Sequence, residues 1–286
     1  MTMRKTEEIS RNPEIPRKLD ITKAIRANNS VWNRTYYDQL VSTNGYQLCI
    51  TPSLQQDAYL NSAQAVRISS LPALEQALSD HNLKPAIYVD PLTPSALVSK
   101  LPENGYVKYD AATDNDQTEV WRIFDLSGPL PDASNMLKIS SDRVSYEIST
   151  PSEDRKALED FLMVDQQTND LDEATISQLR KNLINKSGDD TEIHILRSFV
   201  DGQLAGVICL GANDNMGFLS EGGTLAEFRG LGLFPWMRVI CLEIAEEKGY
   251  SYVMSNTLES NTTSHKGSDK TGFERGFKRE LWIKEG

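Results

Sequence analysis

Two hydrophobic periods take turns along the second half of this chain. Val144 to Ser149 alternates as a half-buried strand does, while Glu153 to Met163 and Ile176 to Ile184 carry the spacing of amphipathic helices. Ile193 to Val200 and Gln203 to Leu210 read as strands on either side of Asp201-Gly202, a two-residue turn that closes hairpins. Met216 to Leu225 is the next strand. The clearest helix follows it. Leu233, Trp236, Met237, Ile240, Cys241, Ile244 and Ala245 keep to one face, and Gly249 ends the run ahead of a strand over Tyr252 to Asn256.

The first half repeats part of this order. A helix opening at Pro72 buries Leu74, Ala77 and Leu78, and Ala86 to Val89 reads as a buried strand. Pro94 opens a second helix with Leu97 and Leu101 inward. Tyr106 to Tyr109 and Glu119 to Leu126 are the next strands, and a helix is expected over Trp32 to Leu40. Ser127 to Asn135 concentrates Gly, Pro, Asp and Ser, which is linker chemistry, and divides the chain into 1–138 and 139–286. Each half ends as helix, buried strand, short helix, Gly-aromatic, strand. Asn104-Gly105-Tyr106 corresponds to Thr271-Gly272-Phe273, so the sequence predicts a duplication.

Composition narrows the classes. A chain of 286 residues with 39% hydrophobic and 25% charged positions is long enough for two globular domains. The formal net charge of −11 disfavours a nucleic-acid partner, whose phosphates call for clustered Lys and Arg. Most of that charge lies beyond residue 140. No apolar run is long enough to span a membrane and Met1 to Pro16 is polar, so a cytoplasmic protein without membrane association is expected. Cys49, Cys209 and Cys241 stand far apart with no His or Cys at ligand spacing, which predicts buried thiols and no metal site.

The segment Glu221-Gly222-Gly223-Thr224-Leu225-Ala226-Glu227-Phe228-Arg229-Gly230-Leu231-Gly232-Leu233-Phe234 runs from a strand through glycines into a helix. Glycines there let successive backbone N–H groups converge on an anion, and the helix dipole favours a phosphate or pyrophosphate. Gly222-Gly223 inside a strand marks a bulge or a close approach by a ligand. A side chain at Gly232 is expected to occupy the space of the phosphate oxygens or to forbid the backbone angles that aim the N–H groups inward.

These residues resemble the GNAT superfamily of acetyl-coenzyme A-dependent N-acyltransferases, whose pyrophosphate loop reads Arg/Gln-x-x-Gly-x-Gly/Ala. Arg229-Gly230-Leu231-Gly232-Leu233 fits, with Phe234 in place of the last small residue. The resemblance covers residues 144 to 283. It implies an α/β fold of two GNAT-like domains, each a mixed, mostly antiparallel sheet flanked by helices, with 1–138 a degenerate copy and 139–286 the acetyltransferase domain. It also implies acetyl-coenzyme A as acyl donor. Thr224, Leu225 and Ala226 would meet the pantetheine arm together with Asn261, and the loop from Arg229 through Gly230, Leu231, Gly232 and Leu233 to Phe234 would hold the pyrophosphate.

The chemistry needs a neutral amine and a base, and Glu221, on the strand leading to the loop, is the candidate. Many members of the superfamily place a Tyr acid four residues before the Gly-Phe glycine. Ser268 stands there in this chain, with His265 nearby as a substitute, and the polar segment Ser260 to Lys270 is compatible with a loop. Trp32, Tyr36, Tyr37 and Tyr46 are candidates to line the acceptor pocket. The expected function is acetyl transfer to a primary amine of a small molecule or peptide by direct attack in a ternary complex. The competing readings are a catalytically silent acyl-coenzyme A sensor or interaction protein, and transfer of a longer acyl or aminoacyl group.

Overall fold

A computed structural model describes Ile25 and residues 37–55, 57–109, 118–186, 192–213 and 215–285. Within them the first half forms β1 (Gln39–Ser42), β2 (Gln47–Ile50), β3 (Ser62–Gln64), α1 (Leu71–Asp80), β4 (Ala86–Val89), α2 (Ser95–Val98), β5 (Tyr106–Lys108) and β6 (Glu119–Asp125). The second forms β7 (Val144–Ser149), α3 (Arg155–Asn169), α4 (Glu173–Lys186), β8 (Glu192–Val200), β9 (Gln203–Asn213) and β10 (Met216–Thr224), then α5 (Leu233–Glu247), β11 (Tyr252–Leu258), α6 (Thr262–Lys270) and β12 (Glu274–Lys284).

The strands make one mixed, mostly antiparallel sheet in the order β1-β2-β3-β4-β12-β6-β11-β10-β9-β8-β7, with β5 also on β12. Each half contains one parallel pair joined through a helix: β3 with β4 across α1, and β10 with β11 across α5. The halves also exchange their last strands. β6 lies between β11 and the first part of β12, and the end of β12 pairs with β4 and β5.

A buried ion pair sits where the exchange crosses. Arg279 on β12 donates Nε to Glu119 Oε2 on β6 at 2.9 Å and Nη2 to Oε1 at 3.2 Å. Trp121 Nε1 donates to the same carboxylate at 2.8 Å, and the guanidinium stacks 4.0 Å from the Tyr88 ring centre. Such a pair is tolerable inside a protein because every charge finds a partner.

Helices cover both faces of the sheet. α3 turns Ala157, Leu158, Phe161, Leu162 and Val164 toward Ile195, Val207, Cys209 and Phe218, joined by Leu179 and Leu183 of α4. α5 covers the other face with Trp236, Met237, Ile240 and Cys241 against Leu196, Ile208, Leu219 and Val253. All three cysteines are buried, and burial pushes the Cys209 thiol up to about 12.

Two local expectations fail. The helix expected over Trp32 to Leu40 lies partly outside the described residues, and Gln39 and Leu40 belong to β1. The segment thought compatible with a loop, Ser260 to Lys270, contains helix α6, whose inward positions are the polar His265 and Ser268.

Candidate functional site

β10 and β11 pair in parallel through Met216↔Tyr252, Gly217↔Val253, Phe218↔Met254 and Leu219↔Ser255, and the pairing stops there. β10 continues against β9 as far as Thr224↔Gly206, while β11 continues against β6 as far as Leu258↔Glu119. The two strands therefore part as a fork whose inner edges are available to an extended chain.

A bulge between Ser220 and Gly222 starts the divergence. Glu221 is the extra residue, held at φ 29°, and Gly222 follows at φ 132°. A Cβ on Gly222 would come within 2.4 Å of the Val207 carbonyl oxygen, so only glycine fits.

Beyond the fork the chain turns into α5. Leu225 N–H donates to Ala205 at 2.9 Å, Phe228 N–H returns to the Leu225 carbonyl at 3.0 Å, and Arg229 Nε donates to the Thr224 carbonyl at 3.1 Å. Of the three residues expected at a pantetheine arm, Leu225 has thus committed both backbone groups and Ala226 its carbonyl, to Arg229 N–H at 3.3 Å. The Thr224 hydroxyl oxygen is buried without a partner.

Among the described residues the amides of Gly230, Leu231, Gly232, Leu233 and Phe234 donate to nothing. They precede and open a fifteen-residue helix, where unpaired N–H groups and the helix dipole favour an anion. These residues fit a phosphate-bearing ligand on two counts: the idle amides, and the orphaned Thr224 oxygen at the edge of the fork.

The two loop glycines differ. Gly230, at φ 82°, faces open space. Gly232, at φ 84°, packs on the segment between the halves, and a Cβ there would lie 2.0 Å from the Met136 carbonyl oxygen. Of the two reasons expected for a glycine here, the left-handed backbone is present, and the space a side chain would fill is that of the Met136 carbonyl. Lys138 N–H bonds the Leu231 carbonyl at 2.9 Å and Lys270 Nζ bonds Met136 at 3.3 Å, so residues 136–138 buttress the loop from behind.

On the α3 side, Glu221 lies in a mostly enclosed setting beside Asp165. The Asp165 carboxylate is fully buried; Oδ1 accepts from Asn169 Nδ2 at 2.7 Å and from Gly222 N–H at 3.2 Å, and Oδ2 has no partner. Burial raises both carboxyls above the ordinary range, and the Asp165 charge adds to the rise at Glu221. Neighbouring carboxyls of this kind lose their protons in turn, and one holds its proton near neutral pH. The Glu221 charge also reaches the half-buried Tyr59 of the first half.

Asp165 escaped sequence reasoning, although a signal existed: it falls four residues after Phe161 on the buried stripe of α3. A cavity of about 720 Å³ shares Tyr59 with this seam and is walled by Asp57 and Tyr109 of the first half and by Leu281 and Ile283 of β12.

On the α5 side, Asn261 caps α6 by accepting from Ser264 N–H at 3.0 Å. His265 is buried and its Nδ1 faces Arg122 Nη2 at 3.0 Å; burial and the Arg122 charge lower its pKa, leaving a neutral imidazole rather than an acid. Ser268 is fully buried. Its oxygen accepts from Arg238 Nη1 at 2.5 Å and its hydrogen goes to the Ser264 carbonyl at 3.0 Å, so it has no proton to give. The structure sets His265 and Ser268 on one face of the sheet and Glu221 on the other.

The Phe234 ring lies 5.5 Å from the Arg238 guanidinium. Of the four aromatic residues expected around an acceptor, Trp32 and Tyr36 lie outside the described residues. Tyr37 is core and bonds the Tyr59 carbonyl at 3.2 Å, and Tyr46 packs on the α1 cluster. Among the described residues no three His, Cys, Asp or Glu are grouped to hold a metal, and no helix is long and apolar enough to cross a membrane.

No family model matches the chain, and no curated protein matches it by sequence. Solved structures do. A GCN5-related N-acetyltransferase from Kribbella flavida aligns over 93% of this chain and 96% of its own, with TM-score 0.64 and 12% identity. One from Sphaerobacter thermophilus aligns over 84% and 76% with TM-score 0.60 and 14% identity. A tandem GNAT protein from the clavulanic acid biosynthesis pathway covers 85% of this chain and 81% of its own, with TM-score 0.59 and 14% identity.

Proposed function

We propose that this chain, which has the GNAT fold, is an acyltransferase that moves an acetyl group from acetyl-coenzyme A to a primary amine of a small molecule or peptide. The fork beyond Leu219 and Ser255, with a carboxylate at its bulge and idle amides at its mouth, carries the reading. In it the amides of Gly230 to Phe234 hold the pyrophosphate, and Thr224, with the backbone edges of the fork, meets the pantetheine arm. Acetyl-coenzyme A supplies an activated thioester.

Glu221 takes the proton from the attacking amine. Its raised pKa brings a carboxylate closer to the basicity that this transfer needs at neutral pH. Asp165 braces the bulge through Gly222 N–H and adds negative charge beside the base. The acceptor enters from the Tyr59 side, between a first half (1–138) that serves as a degenerate copy and a second half (139–286) that binds the donor. This is the role expected for a cytoplasmic enzyme with no nucleic-acid or membrane partner.

The test is calorimetric titration with coenzyme A, followed by release of free thiol from acetyl-coenzyme A across a panel of primary amines. Submillimolar binding and amine-dependent thiol release are expected. A folded protein that binds neither coenzyme A nor acetyl-coenzyme A ends the reading.

One observation favours a second reading. The position expected to supply the acid is a serine with no proton to give, which suits a silent acyl-coenzyme A sensor. Tight binding without thiol release from any amine selects it.

A further inference from the structure

α5 places one charged residue on its buried face. Arg238 is 4% exposed, yet among the described residues no carboxylate meets it, in contrast to Arg279, which is matched with Glu119. Its Nη2 donates to Ser255 Oγ at 3.1 Å and its Nη1 to Ser268 Oγ at 2.5 Å. The rings of Phe234 and Phe273 lie 5.5 and 5.2 Å from the guanidinium, and Nε–H is buried without a partner. Hydroxyls and ring faces solvate a cation without neutralising it, so a full positive charge stays in a low-dielectric setting.

Its position gives that charge a use. Ser255 is the last residue of β11 paired with β10, at the point where the fork opens, and it is 1% exposed. Its oxygen accepts from Arg238, and among the described residues its hydrogen has no acceptor. The Ser268 hydrogen is already spent on Ser264. One hydroxyl donor, polarised by a buried cation, is therefore left at the tip of the fork, across the sheet from Glu221.

We propose that Ser255, backed by the Arg238 guanidinium, binds the thiolate that leaves when the thioester is broken, and that charge stabilisation here replaces protonation by a tyrosine. This rests on the acyltransferase reading above. As the C–N bond forms, the amine proton passes to the Glu221 carboxylate. The C–S bond breaks with its electron pair on sulfur, and the Ser255 O–H turns to that sulfur. Glu221 loses the negative charge that the sulfur gains, so the net charge of the site is unchanged. The thiolate takes its proton from water after release. Phe234 and Ser268, the two departures from the family pattern, then belong together: one ring and one hydroxyl hold Arg238 in place.

The ionisable groups facing this pocket are Arg122 from β6, His265 and Asp269 from α6, Arg275 from β12 and Cys241 from α5 itself. Burial and the Arg122 charge bring Arg238 down to about 10, which leaves it a cation at neutral pH.

The experiment compares coenzyme A with desulfo-coenzyme A, in which hydrogen replaces the thiol, by calorimetric titration from pH 6 to 9. Titration of the surrounding groups affects both ligands and cancels in the ratio of affinities. A bound thiol whose pKa falls by one unit makes that ratio rise by a factor approaching about ten. The rise is expected in the wild-type protein and is expected to vanish in Ser255→Ala. That variant removes one hydroxyl and keeps its melting temperature within a few degrees, and its kcat falls by about tenfold or more with KM for acetyl-coenzyme A little changed. A pH-independent ratio in the wild-type protein overturns this proposal alone. A rise that survives in Ser255→Ala overturns the assignment to Ser255. Absence of binding by both ligands overturns the acyltransferase reading with it.

Discussion

The two parallel crossovers, β3 to α1 to β4 and β10 to α5 to β11, share a topology and differ at the junction between strand and helix. In the first, the chain leaving Gln64 is closed on itself: Arg67 N–H donates to Gly45 at 2.7 Å, Ser70 N–H returns to Arg67 at 2.9 Å, and Ser70 fills the space beside Gly45. β3 is three residues long and has no bulge. In the second, nine residues of β10 leave room for a bulge, and two left-handed glycines keep the loop amides turned away from the chain's own carbonyls. One arrangement of elements thus gives a packed corner in one half and an open turn of unpaired amides in the other. The difference lies in how many backbone donors are left without a partner.

Deleting the closed half tests how far the open half depends on it. A fragment of residues 139–286 lacks β6, so β11 and β12 lose the strand between them and the Glu119 partner of Arg279. It is expected to be insoluble or without a cooperative melting transition, since a buried charge left unpaired costs on the order of 3–5 kcal/mol. A fragment beginning at residue 118 is expected to recover a transition. A cooperative 139–286 fragment with full coenzyme A affinity breaks the picture of shared strands.

Within the open half, Glu221→Gln should lower kcat on the order of 10²-fold or more while coenzyme A affinity stays within about twofold. The same change should alter stability in a pH-dependent way. A carboxyl whose folded-state pKa is raised stabilises the fold fully below its unfolded value and loses that contribution as pH rises through the folded value. The melting temperature of Glu221→Gln relative to wild type should therefore be higher at pH 8 than at pH 5. An identical difference at both pH values argues that Glu221 is solvated.

The loop glycines should separate next. Gly232→Ala drives a Cβ into the Met136 carbonyl and is expected to lower both the melting temperature and coenzyme A affinity, by tenfold or more. Gly230→Ala meets nothing and pays only for its left-handed backbone, about 1 kcal/mol. Equal losses at the two positions would show that the Met136 buttress does not matter.

Asp165→Asn keeps an oxygen for Gly222 N–H but removes a charge beside Glu221. The limb of the rate profile that rises with pH should move to lower pH, with the plateau at high pH changed by about threefold or less. An unmoved limb removes the electrostatic coupling. The smallest effect belongs to the closed junction. Ala65→Gly relieves a positive φ of 53° on an exposed residue and should stabilise by roughly 0.5 kcal/mol with no change in turnover.

What the sequence disclosed follows the same division. α5 was legible because seven apolar residues keep one face, and the β8–β9 hairpin because Asp201-Gly202 forms its turn. β1, β2 and β3 have four, four and three residues, too few for a period to show, and Gln39–Ser42 was absorbed into an expected helix. α6 reads as polar because its inward residues, His265 and Ser268, are matched by Arg122 and Arg238 from other elements, a pairing that no local pattern reveals. Asp165 and Arg238 sit on apolar stripes, where a charge looks like noise until its neighbours are known. The turn before α5 was legible from its glycines, yet that Gly230 faces open space and Gly232 faces Met136 depended on a segment about a hundred residues away.

The exchange of last strands also sets an order on synthesis. Ala86 pairs with Ile283 and Ile87 with Trp282, so the sheet of the first half is finished only after about two hundred further residues have left the ribosome. Until then β4 presents an open edge, while β6 waits for β11 and β12. Long-range pairings of this kind are made late and slowly, and an unfilled edge is exposed to other chains meanwhile. A nascent chain stalled before residue 280 would hold two incomplete sheets at once. Loss of Glu280 to Ile283 should thus disturb the half of the molecule that was translated first.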